Sequence, residues 1–121
     1  MDTSPIADSD LAHLEGLAEL EELYLGATPV TDAGLAHLRG LTRLKSLDLW
    51  EAAVTDAGLV HLKSLARLER LDITNTLVTD AGLDHLAGLA KLRTAHFKGT
   101  KVTAAGAQRL QKALPKLEII R

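Results

Sequence analysis

The sequence predicts an α/β solenoid, a right-handed arc of short strand–turn–helix units with a concave parallel β-sheet and convex helices. The main observation is a repeat: the string VTDAGL occurs at 30–35, 54–59 and 78–83, and a weaker copy, VTAAGA, lies at 102–107, which gives a period of 24 residues. The second is that about one residue in five is leucine, at recurring positions of that period. A unit this short cannot bury its apolar side chains alone, so neighbouring units must stack.

Each period contains a predicted strand just before the VTDAGL string. In the first copy, Leu23 and Leu25 alternate with Glu22 and Tyr24, and alternation at period 2 is typical of a strand with one buried face. The later copies place Leu47 and Leu49, Leu71 and Ile73, and Ala95 and Phe97 at the same buried positions.

A helix of about two turns is predicted after each strand. Leu35, Leu38 and Leu41 are spaced three apart, as on one face of a helix. Thr31 is a suitable N-cap, Asp32 lies at the positive end of the helix dipole, and Gly40 is expected to end the helix. Because every connection is the same, the strands must be parallel, and because strands pack closer than helices the stack curves with the sheet inside.

We expect one domain over 1–121. It comprises a strandless N-terminal half repeat at 1–18, repeats at 19–102 and a C-terminal cap at 103–121, with a helix at Ala104–Leu114 and a strand at Leu117–Ile120.

The composition excludes several classes of protein. The chain has 121 residues, a net charge of −2 and 46% hydrophobic residues, which is typical of a globular protein. The absence of cysteine excludes a disulfide scaffold and a cysteine-ligated zinc site. The opening residues MDTSPIADSD contain neither a basic flank nor an apolar run, so we expect no signal peptide and no membrane segment, and a cytoplasmic location by default.

The pattern Leu20-x-x-Leu23-x-Leu25-x-x-Thr28-x-Val30 resembles the signature of the leucine-rich repeat family. The TDAGLxHL string is similar to the bacterial and F-box-associated varieties of that family, although the chain has no room for an F-box. The resemblance implies a protein-binding solenoid. At the family's Asn/Cys position the chain has Thr28, Ala52, Thr76 and Thr100, so the side-chain ladder expected there is thin and is interrupted at Ala52.

The residues between the buried strand positions form the candidate partner-binding site, because they face the concave side. Tyr24 and Trp50 are two of the three aromatic residues of the chain, and exposed Trp and Tyr are common anchors of interfaces. Trp50 has an alternative role, which is to cover neighbouring strand side chains. Polar specificity is expected from Asp48, Glu51, Arg70, Asp72, His96 and Lys98.

Catalysis and metal binding are disfavoured at two places where they could be suspected. Asp48 and Asp72 lie side by side on adjacent strands, but Arg70 lies near them and the surface is open. His13, His37, His61 and His85 recur at the 24-residue period, yet adjacent helices lie about 8–10 Å apart, too far for one ion to be bound by two rings. We therefore predict no enzyme activity, no cofactor and no metal site.

The charges suggest two modes of association. The concave surface carries more carboxylates than cations, which favours a basic protein or peptide partner and disfavours nucleic acid. Residues 1–38 contain eight acids and no Lys or Arg, whereas 91–121 contain eight bases and one acid. The alternative function is therefore a self-assembling module that associates head to tail through its acidic and basic ends.

Overall fold

A computed structural model describes residues 6–121 and contains five stacked units, each with a helix followed by a strand. The strands form one parallel sheet in the order β1-β2-β3-β4-β5. The helices are α1 (Asp8–Leu11), α2 (Asp32–Leu35), α3 (Asp56–Leu59), α4 (Asp80–Leu83) and α5 (Ala104–Ala113), and the strands are β1 (Glu22–Tyr24), β2 (Ser46–Asp48), β3 (Arg70–Asp72), β4 (Thr94–His96) and β5 (Glu118–Ile120).

The helical segments of the first three units reach the predicted length of about two turns, but only their first four residues are α-helical. Helix α2 has four residues and continues as a 3₁₀ segment over Ala36–Leu38, so helical structure ends before Gly40. A 3₁₀ helix has three residues per turn, which places leucines spaced three apart on one line. In the last unit, α5 ends at Ala113, one residue earlier than predicted, and β5 begins at Glu118, one residue later than predicted.

Hydrogen bonds between successive units continue past the ends of the strands, into the turns that follow, and keep the units in register. Tyr24 pairs with Asp48, and Asp48 with Asp72. After β1, the Ala27 amide donates to the Trp50 carbonyl, and after β2 the Glu51 amide bonds the next unit in the same way. Ala27 and Glu51 have φ of 56° and 60°, a left-handed conformation that is costly for residues with a Cβ. Equivalent positions of all units therefore lie in straight columns across the sheet.

The repeating leucines form the core between the sheet and the helices. Leu35, Leu38 and Leu41 of the second unit are fully buried, and Phe97 occupies its predicted core position at 2% exposure. In the first unit, Leu17 is 49% exposed although its counterpart Leu41 is fully buried. Residues 1–5 of the predicted half repeat lie outside the described residues. Among residues 6–121, no helix is long and apolar enough to cross a membrane.

A carboxylate joins each helix start to the next. Thr31 caps α2, as predicted, by accepting from the Ala33 amide. Asp32 lies in the first turn of α2, as predicted, and its carboxylate also reaches the following unit, where it accepts the Thr55 amide at 2.8 Å and the Thr55 hydroxyl at 2.5 Å. Its carboxylate lies over Gly58, where a Cβ would be 2.2 Å from Asp32 Oδ1. The same Asp–Thr–Gly rung recurs as Asp8–Thr31–Gly34, Asp56–Thr79–Gly82 and Asp80–Thr103–Gly106.

The threonines at the family's Asn/Cys position bond within their own unit. The Thr28, Thr76 and Thr100 hydroxyls each donate to the carbonyl three residues earlier, at 2.7, 2.7 and 2.6 Å. The ladder expected between units at this position is thus replaced by local bonds that satisfy the turn after each strand. Ala52 makes only the backbone part of this turn, through its amide to the Leu49 carbonyl.

Replacing Gly58 by Ala tests the Asp–Thr–Gly rung. The new Cβ would overlap the Asp32 carboxylate, so we expect Gly58→Ala to lower the free energy of unfolding by about 1–3 kcal/mol, measured by urea denaturation. Gly88→Ala is the matched control, since a Cβ at Gly88 meets no atom within 4 Å. Equal effects of the two substitutions would contradict the role assigned to the rung.

The contact between Asp80 and Thr103 at the start of α5 should make the stability of the protein depend on pH. The Thr103 hydroxyl, followed by its amide, lowers the pKa of Asp80. Ionised Asp80 therefore stabilises the fold above its unfolded-state pKa of about 3.9, and this contribution is lost as pH falls through the lower folded-state pKa. We expect the stability difference between wild type and Thr103→Val to shrink as the pH is lowered from about 6 to about 3. Thr42→Val, at an exposed threonine, is the control, and a difference independent of pH would refute the prediction.

Candidate functional site

The solvent-facing side of the sheet, which we call the open face, carries the candidate residues on adjacent strands. The register places Tyr24, Asp48, Asp72 and His96 in one column, with one residue from each of β1 to β4. Tyr24 is 57% exposed and the other three are partly exposed. Adjacent strands are about 4.8 Å apart, so neighbours in this column are within contact distance of one ligand side chain.

Tyr24 and Trp50 are held differently on this face. The Tyr24 hydroxyl donates to Glu22 Oε1 at 2.9 Å, and this hydrogen bond raises the pKa of Tyr24 above its usual value. The Trp50 indole lies on Gly26, where a Cβ would be 2.1 Å from Trp50 Cε2. Trp50 is consequently only partly exposed. Its ring covers the backbone just after β1, so both aromatic rings lie at the β1 side of the open face.

Asp48 is a carboxylate of the open face whose pKa is shifted by its surroundings. Partial burial raises the pKa of Asp48, the charge of Asp72 raises it further, and Arg70 and His96 act in the opposite direction. The Asp72 carboxylate accepts the Thr74 amide at 2.9 Å. In contrast, the Asp48 carboxylate accepts no hydrogen bond from residues 6–121. Asp48 therefore has capacity to accept hydrogen bonds from a ligand.

The remaining predicted residues surround this column. Arg70 and Lys98 are exposed, and none of the ion pairs within the described part of the chain includes either. Glu51 is exposed at its left-handed turn. Ser46, which the alternation places on the open face between Glu22 and Arg70, is only 8% exposed because its small side chain lies between two long ones.

Gly26 is the residue that sequence reasoning missed. A signal was present, because the column that contains Gly26, Trp50, Thr74 and Lys98 has a glycine directly beside its tryptophan. A missing Cβ next to a large ring allows the ring to lie flat on the neighbouring backbone. One side of the Trp50 indole therefore covers Gly26, which corresponds to the alternative role of covering a neighbouring residue.

The periodic histidines form separate contacts on the helical side. His37 Nδ1 contacts the Glu15 carboxylate, while His61 Nδ1 accepts from Arg39 Nε at 2.8 Å. Burial, followed by the charge of Arg39, lowers the pKa of His61. Across residues 6–121, no group of three or more His, Cys, Asp or Glu side chains is arranged to hold a metal ion.

Comparisons with solved structures show the leucine-rich-repeat fold. Internalin C2 from Listeria monocytogenes is 31% identical with a TM-score of 0.72, over 89% of this chain and 44% of that one. A leucine-rich-repeat protein from Leptospira interrogans is 22% identical, also at 0.72, over 91% and 27%. The plant peptide hormone receptor RGFR1, in complex with RGF2, is 14% identical at 0.61, over 90% and 18%. The chain therefore spans less than half of each of these proteins.

No protein-family model matches the chain, and no curated protein is significantly similar to it. The structures confirm a leucine-rich-repeat solenoid, and the F-box-associated subtype stays a prediction.

The contact between Trp50 and Gly26 can be tested by fluorescence, because Trp50 is the only tryptophan of the chain. A Cβ at Gly26 would overlap the indole, so we expect Gly26→Ala to displace the ring into solvent and shift its emission to longer wavelength. Gly16→Ala is the control, since a Cβ there meets nothing within 4 Å. Unchanged emission in Gly26→Ala would show that the indole does not rest on Gly26.

Proposed function

We propose that this leucine-rich-repeat solenoid is a non-enzymatic scaffold that binds a protein or peptide partner on the open face of its sheet. The observation that carries the proposal is the alignment of an exposed aromatic residue with a carboxylate that has no hydrogen-bond donor among residues 6–121. Tyr24 and Asp48 are direct register partners on β1 and β2. Tyr and Trp side chains are large and rigid and are enriched in interface hot spots, and a free carboxylate beside them can accept a ligand's hydrogen bonds.

Two further features support a protein or peptide ligand over a small substrate. The face is a row of side chains on parallel strands, and such rows suit an extended contact. The receptor RGFR1, which shares the fold at 14% identity, was solved in complex with RGF2. This complex supports a protein or peptide ligand by analogy of fold alone, and we place the partner on the open face because of the residues that it carries.

The partner in this proposal is basic and is not nucleic acid. Four carboxylates on β1 to β3 and in the turn after β2 outnumber the single cation there, Arg70; they are Glu22, Asp48, Glu51 and Asp72. A cation placed between Asp48 and Asp72 would relieve their mutual repulsion, which is one of the causes of the raised pKa of Asp48. Nucleic acid binding needs an excess of Lys and Arg that this part of the face does not have.

Head-to-tail self-assembly is the second candidate function. The observation that favours it is exposed apolar surface at the acidic end, where Leu17 is 49% and Ile6 is 44% exposed. The last units carry most of the bases, so the two ends are complementary in charge. This mode does not use the open face, so the two functions predict different responses to substitutions there.

Asp48→Asn separates a binding role from a structural one. Since the folded-state pKa of Asp48 is raised, the ionised carboxylate lowers stability at neutral pH, and removing its charge should raise the free energy of unfolding by up to about 0.5 kcal/mol. The same change, like Tyr24→Ala, should weaken binding of peptides selected from a random phage-displayed library by about 10-fold.

The control is Gln108→Ala, an exposed position on α5, which should leave peptide binding unchanged. A library that yields no binder sensitive to Tyr24 and Asp48 would refute the proposed function. Head-to-tail self-assembly would appear in light scattering as an oligomer that dissociates at high salt and that Tyr24→Ala and Asp48→Asn leave unchanged.

A further inference from the structure

Three kinds of side chain occupy successive strands of the open face. The aromatic zone lies over β1, because Tyr24 is on that strand and the Trp50 indole rests on Gly26 at its end. The acidic zone is the pair Asp48 and Asp72 on β2 and β3. The basic zone lies on β4 and in the two residues that follow it.

The basic zone consists of His96, which lies beside Asp72 in the register, and Lys98, which follows two residues later on the same side. Lys98 is exposed, and no ion pair in the described part of the chain includes it. Lys98 is therefore available to pair with an acidic ligand side chain.

The spacing of the three zones matches an extended peptide. Adjacent strands are about 4.8 Å apart. The midpoint between Asp48 and Asp72 therefore lies about 7 Å from β1, and β4 lies about 14 Å from β1. Alternate residues of an extended chain point to the same side and are about 6.6 Å apart. Residues i, i+2 and i+4 of a peptide that crosses the strands thus fall over the aromatic, acidic and basic zones in turn.

We propose that the open face selects extended segments in which an apolar, a basic and an acidic residue alternate in that order, spaced two apart. The apolar residue packs on Tyr24 and Trp50, the basic residue lies between Asp48 and Asp72, and the acidic residue pairs with Lys98. This inference rests on the proposed function and specifies the ligand of the same face. It rests on charge complementarity, since each charged zone faces a residue of opposite sign.

Two peptides of identical composition test the order. One has the core Leu-Ser-Lys-Ser-Asp and the other has Leu-Ser-Asp-Ser-Lys, both with Gly-Ser flanks. Reversing the chain direction does not rescue the second peptide, because its acid still follows the leucine. In NMR titrations of ¹⁵N-labelled protein we expect the first to bind at least about 10-fold more tightly, with amide shifts at Tyr24, Asp48 and Lys98.

Lys98→Glu tests the basic zone separately. It should reverse the preference at the last position, so that Leu-Ser-Lys-Ser-Lys binds more tightly than Leu-Ser-Lys-Ser-Asp. Lys101→Glu is the matched control, since it makes the same charge change at an exposed residue outside the three zones, and it should keep the wild-type preference.

The outcomes separate the two proposals. Equal binding of the two peptides, or binding of neither, overturns the inferred order, and so does an unchanged preference in Lys98→Glu. If library-selected peptides still bind through Tyr24 and Asp48 in that case, the proposed function stands without this specificity. If no peptide from the library binds there, both proposals fail.

Discussion

The arrangement of the whole chain depends on the carboxylate rung between consecutive helix starts. Each aspartate, such as Asp32, accepts both the amide and the hydroxyl of a threonine 23 residues later, Thr55. Gly58 provides the space that the carboxylate occupies. Hydrogen bonds to a charged acceptor contribute about 1.5–3 kcal/mol each, which is more than neutral ones. The leucine core makes stacking favourable, and the rung sets how each unit sits on the next.

Because each strand is paired with the next in the same register, the exposed residues of the sheet lie in regular rows and columns. The residue type at these exposed positions can vary from unit to unit. Neither the core nor the rungs use Tyr24, Asp48 or Lys98, so these residues can differ between units without loss of the fold. Asp48 shows the cost of such specialisation, since burial and the charge of Asp72 both disfavour its ionised form. Residues that lower stability where they could bind a ligand are typical of functional surfaces.

Sequence periodicity predicted the parallel strands, their register, the buried leucines and the cap at Thr31. It predicted less well where two kinds of local structure share a spacing, because leucines three apart fit both an amphipathic helix and a 3₁₀ segment. It placed Asp32 correctly in the first turn of α2 but did not predict its contact with the next unit. From one unit alone, an aspartate in the first turn has an evident local role, and the contact with Thr55 exists only when two units are stacked.

The sequence by itself determined the repeat, the core and which residues share a column, because each follows from spacing along the chain. Only the tertiary structure decided where the side chains in those columns point. Trp50 belongs to the second unit, yet its ring lies over Gly26 of the first, because the missing Cβ leaves a flat surface that the indole can cover. Both aromatic side chains therefore lie at β1, so that aromatic, acidic and basic groups follow one another across the sheet. A rotamer is selected by neighbouring atoms, and here those atoms lie 24 residues away along the chain.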